Sequence, residues 1–356
     1  MTVVIAGGGS GGHLYPGVAV ARELRRRLPD ARVVFVGTSR GLEARVVPAE
    51  GFPLRVIRSA GLKGKSVAAR LRGVLTLPLS LIDAWRVISA ERPDVVLGVG
   101  GYSSGPVVLL GAWRRVPTML LEQNAVPGLT NRLLARWVRA AAVSFEETRS
   151  WFGEAAFVAG NPVRLEFFQR RATPERARPR RVLALGGSLG AHAINVAMVE
   201  AAKRMAPARP DLEVVHQTGA RDLAAVRAGY SGLEVTARAD AFLDPVADEV
   251  HAADLVVCRA GATTIAELAA AGRPAVFVPF PRATDDHQRR NAQVLADAGA
   301  AELLEERALT GPSLADAIGR LLDDPARLQA MRQAMRGFAR PDAAARIVDR
   351  VLDLAR

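Results

Sequence analysis

Two stretches of this chain place glycine-rich turns beside side chains that can move protons or bind hydroxyl groups. The first is GGGSGGH, residues 7–13, in which a histidine follows a run of glycines. The imidazole of His13 can act as a general base near neutral pH, or it can cap the loop. Glycines let a phosphate approach the backbone closely, so the loop can bind an anion, and beside such a loop we favour the functional role for His13.

The second stretch, residues 254–292, places a carboxylate behind a candidate anion site. A buried strand, DLVVC, leads into RAGATT and a helix predicted from Ile265 to Ala271. A helix N-terminus attracts a diphosphate because its first N–H groups lack partners within the helix. Glu267, predicted in about the first turn and ionised there, can accept two hydrogen bonds from a diol such as a ribose. The pattern favours a sugar nucleotide, and an ordinary strand–helix–strand unit with a solvated acid is the alternative.

A polar loop is predicted after the next strand, residues 275–279. It carries carboxylate, imidazole and amide groups on Asp285, Asp286, His287, Gln288 and Asn291. Such side chains suit the hydroxyl groups of a sugar. The two aspartates and the histidine make a weak metal constellation, so we predict no metal site.

A nicotinamide-dependent dehydrogenase is disfavoured. Gly7, Gly9 and Gly12 fit the pattern G-x-G-x-x-G, but that reaction also needs an acid at the end of the second strand to bind a ribose. The second strand is predicted at residues 33–36 and continues into Gly37-Thr-Ser, where no acid is placed.

Length and composition indicate a two-domain globular protein. The chain has 356 residues, of which 49% are hydrophobic and 24% charged, and one core of that size is unusual. Its one cysteine, Cys258, lies in a predicted buried strand, which fits a reducing cytosol. We expect no signal peptide, and the longest apolar run, residues 74–82, is too short to span a bilayer.

Positive charge is concentrated in the first half of the chain. Residues 1–160 contain 21 Lys/Arg against 11 Asp/Glu, whereas the remainder contains 27 against 25. A basic half indicates an anionic partner, such as a membrane surface or a phosphorylated substrate, although an arginine-rich composition alone is the alternative. Nucleic acid is disfavoured because only 5% of the residues are aromatic and none alternate with basic residues.

The segment 61–86 combines basic residues with apolar residues at helical spacing. Its basic residues include Lys63, Lys65, Arg70 and Arg72, and its apolar residues Val67, Leu71, Leu75, Leu79, Ile82 and Trp85. Such a helix can lie on a membrane surface, and a helix that packs on the core is the alternative.

Internal repetition predicts two similarly built α/β domains. A strand at residues 93–97 leads into GVGGYSSG, and the Asp94-Val-Val-Leu motif returns as Asp254-Leu-Val-Val 160 residues later. We therefore predict a domain over residues 1–163 and another over 164–340. In the second domain, strands are predicted at 181–185, 213–216, 233–236, 255–258 and 275–278. The tail, 341–356, is predicted to form a helix that packs back on the first domain.

Eight motifs in this order resemble those of the MurG family of N-acetylglucosaminyltransferases. They are AGGGSGGHLYPGVAVA, SAGLKGK, PDVVLGVGGYSSGP, LEQNAVPGLTN, AGNPVR, ALGGSLGAHAIN, VVCRAGATTIAELAAAGRPAVFVPFP and NAQVLADAGAA. The resemblance covers essentially the whole chain. It implies the α/β GT-B fold, with two Rossmann-like doubly wound parallel-sheet domains and a cleft between them.

The resemblance also implies an activity. Members of the family transfer GlcNAc from UDP-GlcNAc to the C4 hydroxyl of MurNAc in lipid I, with inversion and without a metal or other cofactor, and the product is lipid II. The expected partners are UDP-GlcNAc, lipid I and an anionic membrane surface, with other proteins of cell-wall synthesis and division as candidates. The expected location is the cytoplasmic face of the bacterial membrane, as a peripheral protein.

Residue by residue, the resemblance implies His13 as the catalytic base. The implied UDP-GlcNAc contacts are Ser10, Gly11, Gly12, Asn124, Arg164, Ser188, Leu243, Ala262, Thr263, Thr264, Glu267, Gln288 and Asn291. The implied contacts to the acceptor diphosphate are Gly9, Ser10, Gly11, Gly100, Gly101, Tyr102, Ser103 and Ser104.

Two other functions stay open at this point. Another GT-B enzyme that uses a UDP-sugar, such as a UDP-GlcNAc 2-epimerase, would share the second half of the chain but not its glycine loops and basic first half. A non-catalytic scaffold that binds a sugar nucleotide would not need His13, Glu267 and Gln288 together.

Overall fold

Strands and helices alternate through the described chain. The computed structural model describes residues 1–9, 11–59, 67–169, 181–187 and 190–356, apart from the side chains of residues 67–75. Predictions that lie outside these residues concern Ser10, Lys63, Lys65, Ser188 and the arginine-rich stretch 170–180, together with the side chains of Val67, Arg70, Leu71, Arg72 and Leu75.

All paired strands are parallel to their neighbours. The strands are β1 (Thr2–Gly7), β2 (Arg32–Gly37), β3 (Leu54–Val56), β4 (Val95–Gly100), β5 (Thr118–Glu122), β6 (Ala140–Val143), β7 (Ala156–Val158), β8 (Arg181–Leu185), β9 (Glu213–Gln217), β10 (Thr236–Asp240), β11 (Leu255–Cys258), β12 (Ala275–Phe277) and β13 (Ala301–Leu303). The helices are α1 (Gly11–Arg27), α2 (Glu43–Ala49), α3 (Val67–Glu91), α4 (Ser104–Trp113), α5 (Leu129–Leu134), α6 (His192–Met205), α7 (Leu223–Tyr230), α8 (Val246–Ala252), α9 (Ala262–Ala271), α10 (His287–Asp297), α11 (Gly311–Leu322), α12 (Pro325–Arg336) and α13 (Ala343–Leu354).

The described chain divides into two compact units, one of residues 1–163 with 340–356 and one of residues 164–339. The first unit contains a sheet in the order β3-β2-β1-β4-β5-β6-β7. Its central strands are uninterrupted apolar runs because helices cover both faces of the sheet. Helices α1, α2 and α13 pack on one face, and α3, α4 and α5 pack on the other.

The second unit contains a sheet in the order β10-β9-β8-β11-β12-β13. Helices α6, α7, α11 and α12 contribute to one large apolar core against this sheet. In both sheets the direction of strand addition reverses, between β1 and β4 in the first and between β8 and β11 in the second. Ligands of doubly wound sheets bind at the carboxyl ends of the strands at this reversal.

The two doubly wound parallel-sheet units confirm the predicted fold class, but several element boundaries were wrong. The sequence predicts a first helix from about Gly17 to Leu28, but α1 begins at Gly11, six residues earlier, and it includes Pro16. His13 therefore lies in the first turn of a helix. Strand β10 occupies Thr236–Asp240 instead of 233–236. This strand lies at the edge of the sheet and is half-exposed, so its TARAD sequence lacks the apolar run by which the other strands were found.

Two further corrections concern predicted site residues. Helix α9 begins at Ala262, three residues before the predicted start, so Glu267 lies in its second turn. Gln288 and Asn291, predicted in a loop, lie in the first turns of α10.

In the part of the chain that the structure describes, no helix is both long enough and apolar enough to cross a bilayer.

Candidate functional site

Two glycine loops meet at the reversal between β1 and β4. The register pairs Gly7 with Gly100, and the Gly8 N–H donates to the Gly100 carbonyl oxygen at 3.4 Å. Gly101 has a φ of +82°, and a Cβ built on it would lie 2.6 Å from the Gly8 carbonyl oxygen. The two backbones therefore approach so closely that a side chain at Gly101 is excluded.

Gln123 orients the imidazole of His13. The Gln123 amide is buried; its Nε2 donates to the Val99 carbonyl oxygen at 3.2 Å, so its Oε1 faces His13 Nδ1 at 3.1 Å. An amide oxygen only accepts hydrogen bonds, so the hydrogen-bond network assigns the proton of a neutral imidazole to Nδ1. His13 Nε2 then keeps its lone pair and can accept a proton.

Gly100 fixes the same imidazole from the side. A Cβ at Gly100 would lie 2.7 Å from His13 Nδ1, and the residue has a φ of +97°. The second glycine loop thus packs directly on the candidate base. The backbone at Gly100 and the amide of Gln123 together determine where His13 points.

A buried carboxylate that the sequence analysis missed holds the first loop. Glu43 has no exposed surface; its Oε2 accepts from the Gly9 N–H at 2.8 Å, and its Oε1 accepts from the Thr38 N–H at 2.8 Å and the Thr38 hydroxyl at 2.9 Å. A Cβ at Gly8 or Gly37 would lie 2.5 Å from this carboxylate or its side chain. Burial acts to raise the pKa of Glu43, but these hydrogen bonds outweigh it and keep the pKa below its usual range. The Gly9 N–H, predicted to face the acceptor diphosphate, is used here by Glu43.

The start of α4 carries the remaining predicted acceptor contacts. Ser103 and Ser104 are buried, and the Ser104 hydroxyl donates to the Gly101 carbonyl oxygen at 3.1 Å. Tyr102 is half-exposed. The structure therefore brings Gly11, Gly100, Gly101 and the residues that follow them to the same end of the sheet as His13.

A second buried carboxylate, Glu122, organises the loop after β5. Glu122 Oε1 accepts from the backbone N–H and the side-chain amide of Asn124, at 3.0 and 3.2 Å. Its Oε2 accepts from the Gly128 N–H at 3.0 Å and from the Asn131 amide at 2.8 Å. Asn124, a predicted donor contact, thus belongs to the first unit and lies next to Gln123.

In the second unit, the N-terminus of α9 follows β11 through Arg259-Ala-Gly. The N-cap residue is Gly261, and no side chain caps this end. Ala262, Thr263 and Thr264 form the first turn, as the diphosphate prediction requires. Cys258, at the end of β11, is buried, and this burial raises the pKa of its thiol.

Arg164 and Glu267 form an ion pair beside this helix. Arg164 Nη2 lies 3.4 Å from Glu267 Oε1, and Arg164 Nη1 lies 3.0 Å from Glu166 Oε1. Burial raises the pKa of Glu267 to about 7, although Arg164 opposes the shift. The helix N-terminus was predicted to favour the ionised form of this carboxyl. Burial opposes that form, and Glu267 lies in the second turn, beyond the turn in which the field of the helix is strongest.

Two amides of α10 contact the loops that follow β11 and β12. Gln288 Oε1 accepts from the Phe280 N–H at 2.9 Å. Asn291 has no exposed surface, and its Nδ2 donates to the Ala260 carbonyl oxygen at 3.2 Å. The structure therefore places Asn291 beside the start of α9, the helix that carries Glu267, and Gln288 beside the loop that follows β12.

Leu243, a predicted UDP-GlcNAc contact, is held by a side chain that the sequence analysis missed. The buried Gln217, at the end of β9, accepts from the Leu243 N–H at 3.0 Å through its Oε1.

The neighbouring His216 is buried between Tyr230 Oη at 2.9 Å and Asn195 Oδ1 at 3.0 Å. This burial lowers the pKa of His216 to about 4, so the imidazole is neutral at physiological pH.

The predicted weak metal constellation has other contacts. His287 Nδ1 faces the Thr284 carbonyl oxygen at 2.6 Å, and Asp286 pairs with Arg289 at 2.5 Å. Within the described ranges, no group of three or more histidine, cysteine, aspartate or glutamate side chains is arranged to hold a metal ion.

Comparisons with known proteins cover both units. Residues 3–143 match the glycosyltransferase family 28 N-terminal domain, and residues 181–347 match the C-terminal domain of the same family. The UDP-N-acetylglucosamine–N-acetylmuramyl-(pentapeptide) pyrophosphoryl-undecaprenol N-acetylglucosamine transferase of Anaeromyxobacter sp. (strain K) is 48% identical, over 100% of this chain and 94% of the relative. The enzyme of the same name from Myxococcus xanthus is 46% identical, over 99% and 93%.

A solved structure gives the same result. The crystal structure of Acinetobacter baumannii MurG superposes with a TM-score of 0.81 at 31% identity and covers 99% of both chains. The order of the two matched domains, the two doubly wound sheets and the full-length similarity agree. The chain therefore belongs to glycosyltransferase family 28 and, within that family, to the MurG enzymes.

Proposed function

We propose that the chain transfers GlcNAc from UDP-GlcNAc to the C4 hydroxyl of MurNAc in lipid I, with inversion, and so produces lipid II. The observation that carries the proposal is the orientation of His13 by Gln123, which leaves Nε2 as a proton acceptor beside two glycine loops. The names of the relatives supply the substrate class, because they describe a GlcNAc transferase acting on a pyrophosphoryl-undecaprenol sugar.

In the proposed step, His13 Nε2 takes the proton of the acceptor hydroxyl. The hydroxyl oxygen attacks the anomeric carbon of GlcNAc, the bond from that carbon to the β-phosphate oxygen breaks, and UDP leaves with the electron pair. A base at this position lowers the barrier only if its lone pair faces the hydroxyl, and the hydrogen bond from Nδ1 to Gln123 holds that orientation.

Negative charge develops on the leaving diphosphate. The N-terminus of α9 supplies backbone N–H groups, and Arg164 supplies a guanidinium that lies between Glu267 and Glu166. Fixed donors of this kind stabilise a developing anion because they need no reorganisation during the reaction. We propose that these groups perform the role that a metal ion has in other transferases.

The test is transfer of labelled GlcNAc from UDP-GlcNAc to a short-chain lipid I analogue, with an excess of chelator. Product in the presence of chelator supports a metal-independent transferase. Loss of product with chelator and its return with added metal would contradict the metal-free proposal. UDP-GlcNAc binding without product would indicate a different acceptor or an epimerase.

Two histidine variants test whether His13 is the base. His13→Ala is expected to keep UDP-GlcNAc binding and to lose at least about 100-fold in turnover, which is the usual contribution of a general base. His192, an exposed histidine on α6, is the matched control. If His13→Ala turned over as fast as His192→Ala, the proposed role of His13 would be wrong.

We infer further that the first unit attaches to the anionic cytoplasmic face of the bacterial membrane as a peripheral protein. Helix α3 exposes Leu77, Leu79, Ile82 and Trp85, each between 40% and 46%. An amphipathic helix of this kind binds an anionic surface when basic residues accompany its apolar face. Proteins of cell-wall synthesis and division are the other partners that we propose.

A further inference from the structure

The buried amide of Gln217 keeps a hydrogen-bond donor in reserve. The side chain is only 5% exposed, and its Oε1 accepts from the Leu243 N–H at 3.0 Å. Because that N–H can only donate, the amide oxygen faces it and Nε2 lies on the other side. Among the residues that the structure describes, no acceptor contacts Nε2. A buried N–H group without an acceptor costs free energy, so it indicates a ligand that supplies one.

The strand end that carries this amide is fixed in place. The Gln217 carbonyl oxygen accepts from the Gly186 N–H at 2.9 Å, and the preceding residue, His216, is hydrogen-bonded to Asn195 and Tyr230. Side chains alternate along a strand, so Gln217 faces away from α6 and α7, which hold His216. A donor that is held on a rigid strand can select between ligands, because its position does not adjust to each of them.

The place of Gln217 in the sheet matches one end of the proposed donor. Helix α9 begins after β11 and offers its N-terminus to the diphosphate, whereas Gln288 and Asn291 lie in α10, which follows β12. The sugar end therefore lies towards β12, and the nucleoside extends the other way, past β8 to β9. Two strand spacings, roughly 10 Å, separate β11 from β9. The nucleobase is thus the part of the donor that reaches Gln217.

A fixed amide donor distinguishes uracil from cytosine. Position 4 of a pyrimidine lies across the ring from the nitrogen that carries the ribose, so this position extends furthest towards β9. Uracil has a carbonyl oxygen there, which accepts a hydrogen bond, whereas cytosine has an amino group, which donates one. An Nε2 donor pairs with the first and opposes the second, so the contact would both attract uracil and reject cytosine.

We propose that Gln217 determines the nucleobase specificity of the enzyme by donating a hydrogen bond from Nε2 to O4 of uracil. This inference rests on the UDP-GlcNAc donor proposed above and assigns the residue that reads its base. The oxygen of the same amide holds the backbone of Leu243, a predicted UDP-GlcNAc contact.

Calorimetry with UDP and CDP on the full chain tests the proposal, because the two nucleotides share the diphosphate and differ at ring positions 3 and 4. We expect the wild type to bind UDP at least about tenfold more tightly than CDP, since CDP leaves the buried donor unpaired. In Gln217→Glu the carboxylate still accepts from the Leu243 N–H but places an acceptor where Nε2 was. At pH 8 the ratio of the two affinities should therefore fall by at least about tenfold.

A second variant and a control complete the experiment. Gln217→Met removes both polar groups without adding a charge, so it tests the proposal even if the glutamate variant does not fold. Its preference for UDP over CDP should also fall. Gln329→Glu makes the same chemical change at an exposed position of α12, and its affinity ratio should equal that of the wild type.

The outcomes separate a residue that reads the base from one that only holds a loop. Equal losses of UDP and CDP affinity in both Gln217 variants would mean that the side chain acts through Leu243 alone, and the proposal would be overturned. A wild type that binds UDP and CDP equally well would overturn it too. A wild type that binds neither nucleotide would overturn the proposed donor itself, so the two failures are distinguishable.

Steady-state transfer gives an independent measurement. In Gln217→Met the KM for UDP-GlcNAc should rise by about tenfold, with kcat within about threefold of the wild type, because the base lies far from the carbon that reacts. A fall in kcat with an unchanged KM would contradict a role in base recognition.

Discussion

Gln123 determines which nitrogen of His13 carries the proton. Replacing it by the similarly sized methionine removes the acceptor for Nδ1 and leaves the imidazole free to turn or to change tautomer. We expect Gln123→Met to lower kcat by about 10- to 100-fold, which is less than the roughly 100- to 10,000-fold contribution of a general base because His13 itself is retained, with the KM for UDP-GlcNAc little changed. Steady-state kinetics measures both values.

The control for this prediction is Gln293→Met on α10, where the amide Nε2 donates to Asp297 Oδ1 at 2.7 Å. That variant should behave as the wild type. A folded Gln123→Met enzyme with kcat within twofold of the wild type would show that Gln123 does not position the base.

We predict that UDP-GlcNAc binding depends on pH through Glu267. Its pKa is about 7 in the folded chain, and only the ionised carboxylate accepts two hydrogen bonds from a diol. Lowering the pH from 8 to 6 should therefore weaken UDP-GlcNAc binding by about tenfold, since the ionised fraction falls by that factor. Isothermal calorimetry at several pH values measures the change.

In Glu267→Gln the affinity should be lower and should no longer depend on pH in this range. If the wild-type Kd were constant between pH 6 and 8, either the carboxyl would not contact the ribose or its pKa would not be raised. A pH dependence that survives in the glutamine variant would assign the titration to another group.

The site residues that could be found from the sequence have their signals nearby in the chain, whereas a missed residue has a partner far away in the chain. His13 and Glu267 were found because each follows its own glycine turn. Glu43 was missed because Gly9, the residue of the first glycine loop that it binds, is 34 positions away and no local pattern links the two. Gln123 carried a usable signal: it follows β5, so it had to lie at the same carboxyl edge of the parallel sheet as His13.

The contact between the two glycine loops makes a prediction about stability. Gly101→Ala forces a positive φ and also places a methyl group 2.6 Å from the Gly8 carbonyl oxygen. Gly153→Ala forces a positive φ of +57° with nothing within 4 Å, so it measures backbone strain alone. Backbone strain should lower the free energy of unfolding of each variant by about 1–2 kcal/mol. The clash should lower that of Gly101→Ala by about 1–3 kcal/mol more.

Denaturant unfolding of the two variants and the wild type measures the difference. Equal losses in the free energy of unfolding would mean that the loops separate without cost, and the close approach would then not be a feature that the sheet maintains. The same variants in the transfer assay would show whether the loop geometry also affects acceptor binding.

The buried imidazole between α6 and α7 makes the second unit sensitive to acid. His216 has a folded pKa of about 4 against 6.5 for an ordinary histidine, so the unfolded chain binds more protons between these values. Stability therefore rises with pH across this window and falls as the pH drops from 6.5 towards 4, by up to about 3 kcal/mol. Glu267 acts in the opposite direction, because its raised pKa favours the folded state as the pH falls from 7.

The comparison of wild type with His216→Leu isolates the histidine from Glu267. The variant should be less stable at pH 7, because Asn195 and Tyr230 lose a partner, but its stability should change less between pH 6.5 and 4. Unfolding by urea at several pH values gives the slopes. Parallel curves for the two proteins would show that His216 is not buried in its neutral form.

Boundaries were predicted least well where glycine, proline or polar residues begin an element. Helix α1 includes Pro16, and α9 begins at Ala262, directly after Gly261. Local propensity places both starts later, but packing on the sheet fixes them earlier, since tertiary contacts override propensity. The apolar strands β8 and β11 were placed correctly because burial on both faces demands uninterrupted apolar runs.

At the scale of the whole molecule, the sequence of the second unit is inserted within that of the first. The chain leaves the first unit after Val163 and returns to it at Arg340. Helix α13 then packs Ile347 and Val351, both almost fully buried, against the first sheet's core, and Asp349 pairs with Arg27 of α1. The sequence predicted two α/β domains from internal repetition and a tail helix that packs on the first domain. The individual partners of α13 required the structure, because residues such as Arg27 and Asp349 lie more than 300 positions apart.

Removing side chains from α13 should therefore destabilise the first unit. Ile347→Ala is expected to lower its free energy of unfolding by about 2–5 kcal/mol, as for other large-to-small changes in a core. Asp353→Ala, at an exposed position of the same helix, should change it by less than about 0.5 kcal/mol. Hydrogen exchange resolves the two units. Equal protection of β1 and β4 in both variants would show that α13 is dispensable for the first unit.

The long separation in sequence between α13 and the rest of the first unit has a consequence during synthesis. Residues 1–163 are translated before α13, the helix that completes their core. At about 5–20 residues per second, residues 164–354 take roughly 10 to 40 s to translate. During that time we expect the apolar side of α1 that α13 covers to be exposed on the nascent first unit, where chaperones can bind it. A chain that terminates before α13 never covers this surface, so we expect proteases to cleave it faster than a chain that contains α13.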